Sequence, residues 1–140
     1  MKTKLVVPLL AGALGAASAF AGSSAGAAPA APLAGMHPVV VIAPSAEGEA
    51  KEVEVVADLP AVKIVAITLR AGTALAEHSA GVPVTIQAAH GSATITVRGV
   101  PLPLGPGMFV VLDANTPHSV APIGLGPVTV LVHHHKGVTP

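Results

Sequence analysis

"LRAGTALAEHSAGVPVTIQAAHGSATITVRGVPLPLGPGMFVVLDANTPHSVAP", residues 69–122, decides how this chain folds. Short runs of Val, Ile, Leu and Thr alternate with Gly, Pro, Asn and Asp, and no run sustains the 3.6-residue apolar period of a helix. "VPVTIQAA" (82–89), "ATITVRG" (93–99), "VPLPL" (100–104), "MFVVL" (108–112) and "HSVAPI" (118–123) each have the length and β-branched content of a strand. The breaks between them are turn chemistry. "HGS" at 90–92 offers Gly91 for a positive φ in a hairpin, "RG" at 98–99 makes a second tight turn, and "GPG" at 105–107 a third. A histidine followed by serine closes an apolar run at each end, His78 near the start and His118 near the finish.

The same grammar extends outward. "PVVVIA" (38–43), "AVKIVAITL" (61–69) and the closing "VTVLVHHH" (128–135) are apolar runs bounded by turns. "KEVEVVADL" (51–59) alternates Glu52 and Glu54 against Val53 and Val55, the period-2 pattern of a half-buried strand. About ten short strands at nearly even spacing predict an all-β sandwich or barrel. Pro83, Pro101 and Pro103 place their segments at strand starts or sheet edges, where a missing N–H is tolerated.

Composition narrows the functions. The chain has 140 residues, seven Lys and Arg against seven Asp and Glu, and only two aromatic residues, Phe20 and Phe109. No basic footprint for nucleic acid is present, and a sugar or single-strand site built on aromatic stacking is excluded. With no Cys, disulfides and thiolate catalysis are excluded too.

The first 21 residues have the form of an export signal. Lys2 and Lys4 precede the apolar run Leu5 to Leu14, and small-x-small cleavage sites follow at Ala19 and Ala21. Pro8, Gly12 and Gly15 in a short run argue against a membrane span, before or after cleavage. The expected location is a bacterial periplasm or the medium. Residues 22–35, rich in Ala, Gly, Pro and Ser, have the composition of a flexible tether, which leaves 36–140 as the folded domain.

Residues 60 to 135 resemble a small single-domain cupin, and the motifs quoted above carry the likeness. The first cupin motif runs from a Gly through His-x-His and a Glu to a second Gly. Gly72, His78 and Gly91 match it, while Ala80 stands at the second His and Val84 at the Glu. The second motif runs from Gly through Pro-x-Gly to His. Gly107 and His118 match it, with Asp113 and Asn115 in the Pro and Gly positions. The resemblance implies a cupin-like antiparallel β-barrel, the double-stranded β-helix or jelly roll. It also implies that His78 and His118 converge at the barrel mouth, that two of four metal-ligand positions are kept, and that two copies pair through outer-sheet strands.

Catalytic zinc uses three protein ligands and the iron triad two His and a carboxylate, so His78 and His118 need a third partner to hold a divalent Zn, Fe, Mn or Ni firmly. Alternation puts His133 and His135 on one face and His134 on the other. With the odd pair inward, His133 or His135 is a candidate third ligand, and Asp113 is another. Glu77 ranks lower because its neighbour His78 takes the inward direction. The bland alternative is that His78 and His118 are hydrogen-bonded polar residues in a closed pocket. His90 is read as an exposed turn residue, His37 as loop, and Gln87 as an outer-face residue. Ser79 and Ser119 lack a base-and-acid arrangement or nucleophile elbow.

Two functional expectations follow. One is an exported binding barrel for a small ligand or a weakly held divalent metal, without catalysis. Its mouth would be lined by Val84, Ile86, Phe109, Val111 and Val120. The other is a metal-dependent oxygenase or isomerase with no catalytic residue yet assigned.

Overall fold

The computed structural model describes the backbone of Val6–Pro8 and the whole of residues 34–137. Most of the leader expected over 1–21 and of the tether over 22–35 lies outside the described residues.

Eleven strands are described and no helix. They run β1 (Val6–Pro8), β2 (Val39–Val41), β3 (Lys51–Asp58), β4 (Val62–Leu69), β5 (Leu75–His78), β6 (Val84–His90), β7 (Ala93–Val97), β8 (Val100–Leu104), β9 (Phe109–Leu112), β10 (His118–Pro122) and β11 (Val128–His135). A five-stranded sheet, β3-β4-β11-β6-β9, faces a four-stranded sheet, β5-β10-β7-β8, and every pairing is antiparallel. The turns form where their residues allow. Gly91 takes φ 75° between β6 and β7, and a Cβ there would lie 2.5 Å from the Pro127 carbonyl oxygen. Arg98 and Gly99 both take positive φ in the two-residue turn into β8. Pro101 and Pro103 sit on β8, an edge strand, as expected.

The core lies between the sheets. Leu69, Val84, Ile86, Ile95, Leu104, Val120, Val128 and Val130 are all at most 2% exposed. Period-2 alternation turns Val84, Ile86 and Ala88 of β6 and the even-numbered residues of β11 inward, which puts Gln87 on the outer face as expected; a register shift after Ala88 sends His90 outward.

Strands β3 and β9 both keep the expected alternation, and the structure decides which set each one covers. On β3, Val53 and Val55 are 58% and 50% exposed, while the Glu52 side chain is 10% exposed. β3 is an edge strand, and the facing sheet is one strand narrower, so the barrel side of β3 is left uncovered. Its other side lies under residues 45–50, which Arg70 fastens down. Arg70 Nε donates to the Ser45 carbonyl (3.2 Å), Nη1 donates to the Glu49 carbonyl (2.5 Å), and Nη1 lies 3.2 Å from Glu52 Oε2. Gly48 makes this approach feasible, because a Cβ there would be 2.5 Å from the guanidinium carbon. On β9, Phe109 and Val111 pair opposite the outer-face residues Gln87 and Thr85 and are 63% and 61% exposed. They do not line the mouth; Val110 and Leu112 face inward instead, because a period of two allows only one of the two sets to do so.

The run 38–43 supplies β2, which pairs with β1. Val39 and Val41 pack with Val56, Ala66 and Leu131 on the outside of the five-stranded sheet. His90 is not an exposed turn residue. It ends β6, half-buried, and its Nε2 donates to the Val41 carbonyl (3.0 Å).

Candidate functional site

The β5–β6 loop returns the chain to the same end of the barrel that β10 enters. Asn115 donates its backbone N–H to the Ala80 carbonyl at 2.7 Å, tying the loop of the second motif to that of the first. Asn115 holds φ 62°, so it supplies the left-handed conformation that the motif assigns to Gly. Antiparallel pairing then sets His118 directly opposite His78.

The two rings have centroids 4.4 Å apart and are tilted by 56°. Each is oriented by its own strand: His78 Nδ1 donates to the Ala76 carbonyl at 2.7 Å and His118 Nδ1 to the Thr116 carbonyl at 2.9 Å. This fixes the tautomer and leaves both Nε2 lone pairs for another partner, the arrangement by which outer-shell carbonyls orient metal-ligating histidines. His78 is exposed and His118 is 3% exposed, so the pair reaches from solvent into the barrel.

The other sequence-predicted ligands are not brought to this pair. His133 and His135 lie on the outer face of β11, opposite Thr85 and the residues around it; His135 Nε2 shares a hydrogen bond of 2.8 Å with Thr85 Oγ1. Asp113 is exposed in the loop after β9, and Glu77 is exposed beside His78. The residue that sequence reading passed over is His134. It faces inward, paired with Val84 on β6 and Lys63 on β4. A signal for it existed: Val128, Val130 and Val132 are the buried set, and the same parity reaches His134.

As placed, no three His, Cys, Asp or Glu side chains among the described residues converge tightly enough to hold a metal. Two imidazoles with free Nε2 atoms fit a loosely held ion and fall short of the three ligands of a catalytic centre.

Burial lowers the His118 pKa below its ordinary value, opposed by the hydrogen bond to Thr116 and reinforced by His78. Burial likewise lowers that of His134, opposed by the Lys63 carbonyl and reinforced by the charges of Lys63, His78 and His118. The unfolded chain therefore binds protons that the folded one refuses. This contribution to stability is whole above about pH 6.5 and is lost as pH falls through the folded values. Thermal unfolding followed from pH 7.5 to 5 should show Tm falling over that window, with a shallower fall in His118→Gln. Asp58, held low by its hydrogen bond and ion pair to Lys136, acts only in more acidic solution.

No protein-family model matches the sequence, and no curated protein matches it. Solved structures do. An RmlC-like cupin from Methanocaldococcus jannaschii, with a double-stranded β-helix fold, aligns at TM-score 0.57 and 21% identity, over 65% of this chain and 84% of that one. An RmlC-like cupin from Desulfovibrio desulfuricans aligns at TM-score 0.54 and 26% identity, over 64% and 88%. The DMSP lyase DddQ from Ruegeria pomeroyi aligns at TM-score 0.52 and 20% identity, over 59% and 42%. The domain has the double-stranded β-helix fold of these cupin structures. These likenesses establish the architecture, and the chemistry has to come from the site.

Proposed function

We propose that this protein is a binding barrel whose working site is the His78–His118 pair, taking a small ligand or a loosely held divalent metal without catalysing a reaction. The observation that carries this reading is the paired orientation of the rings, each Nδ1 committed to a carbonyl and each Nε2 left free. Val84 stands, buried and apolar, in the position where cupins carry an inward Glu. The lyase among the structural neighbours shares the fold at 20% identity, which carries none of its activity over. The Lys2 and Lys4 start and the small-x-small sites support export to a bacterial periplasm or the medium. Phe109 and Val111, exposed on edge strand β9, support pairing of two copies through that face.

The test is elemental analysis of tag-free protein purified without a metal column, followed by a thermal-shift screen of divalent metals and small organic molecules. Binding that disappears in His78→Ala/His118→Ala, with folding intact by circular dichroism, is the expected result. Binding that survives the double substitution would place the site elsewhere.

A further inference from the structure

Resting on the reading of the pair given above, we infer that His78 and His118 take an organic ligand that presents N–H donors on a short apolar stem, as an aliphatic primary ammonium or a primary amide does. Which atom of each ring is already engaged decides this. A carbonyl oxygen only accepts, so Nδ1 of His78 and Nδ1 of His118 both carry the proton that bonds the carbonyls of Ala76 and Thr116. A neutral imidazole holds one such proton, and each Nε2 is therefore a bare lone pair. A carboxylate, phosphate or carbonyl group would set acceptor against acceptor there and gain no hydrogen bond.

The surroundings fit that class. Cross-strand pairing sets both rings on one face of their sheet, and with centroids 4.4 Å apart a single head group can lie against both. Among the described residues, neither Nε2 is a buried atom without a partner, so both nitrogens can be reached although His118 is only 3% exposed. Register supplies the wall for the stem. His78, His118, Val97 and Val100 are successive partners across β5, β10, β7 and β8, with Leu75 and Val120 in the row beneath. Two nitrogen acceptors at the edge of an aliphatic wall suit a stem of a few carbons. Glu77 and Asp113, exposed in the segments flanking the pair, favour a positive head group, while Arg98, whose N–H donates to the Pro117 carbonyl, opposes one. Two ligands fall short of the three of a firm metal site, and hydrogen bonding is the better use of these lone pairs.

NMR titration of the tag-free full chain tests this, with chelator present and at about pH 8, above the ordinary range of imidazole. The probes share one skeleton: propylammonium, propionamide and propionate. Saturable binding of propylammonium, propionamide or both, and none of propionate, is the expected result, and the first two arms separate charge from hydrogen bonding. His78→Ala and His118→Ala should each weaken the donor probes about tenfold, the scale of one hydrogen bond. His118→Gln keeps an acceptor oxygen and should lose less. Long-range ¹H–¹⁵N couplings on the wild type read the tautomers independently of any variant and should place the proton on Nδ1 of both rings. A proton on either Nε2, propionate binding as well as the donors, or binding of none of the three would overturn the inference. If a metal or an acceptor ligand then binds and is lost in His78→Ala/His118→Ala, the pair stands as a site and only its ligand class is wrong. Donor probes that bind the double variant as well as wild type would overturn the reading of the pair and the inference together.

Discussion

Replacing Arg70 with methionine should cost about 3–5 kcal/mol of folding stability, the range seen when one partner of a buried ion pair is removed. Arg70 is 7% exposed, and its guanidinium holds residues 45–50 across the outer face of the five-stranded sheet. Without it the Glu52 carboxylate stays buried and unneutralised. Neither carboxylate oxygen has a hydrogen bond, so the arginine's charge is what compensates it. The double variant Arg70→Met/Glu52→Met should recover most of the loss, since well-packed apolar replacements of a buried pair are often neutral or stabilising. Urea midpoints of the wild type, both single variants and the double variant give the coupling directly. A single variant as stable as wild type would mean that the pair is solvated and the loop is held by packing alone.

The second large effect is expected at Ile86, 1% exposed on the inner face of β6 and two residues along from Val84. Ile86→Ala should cost about 2–5 kcal/mol, combining lost apolar transfer with the cavity left behind. The spread reflects how far the two sheets can close over the gap. The sheet that carries Ile86 is held on both sides, because Ile86 pairs with Val132 on β11 and Val110 on β9. The hole would open in the layer that supports the histidine end of the barrel, so the variant also probes the site. A small apolar molecule that raises the Tm of Ile86→Ala and not of wild type would show that the cavity is dry and accessible. A loss well under 1 kcal/mol would indicate a core that repacks freely.

The residues that failed to declare themselves did so for one reason. β3 and β9 both alternate cleanly, yet alternation says only that two faces differ, not which one a neighbour will cover. On β3 the register sets Val53 and Val55 on the barrel side, opposite Ile67 and Val65, where they stay exposed, while Glu52 lies on the outer side beneath residues 45–50 and against Arg70. Phe109 looked like a mouth residue for the same reason, and its pairing opposite Gln87 sends it to the outer face. At β11 the faces of His133, His134 and His135 were readable by counting from the buried valines.

The sequence by itself determined the architecture. Strand lengths, turn residues and the spacing of Gly72, His78, Gly91, Gly107 and His118 are local properties, and together they leave little besides an antiparallel jelly-roll barrel with two histidines opposed at one end. Asn115 even kept the backbone conformation of the glycine it replaces. Only the tertiary structure decided the surroundings: the Arg70 clamp, the exposure of Val53 and Val55, and the placing of His134 beside Val84. Each depends on a partner 18 to 50 residues away along the chain, brought close by the register between strands, and register is set by the packing of the whole barrel.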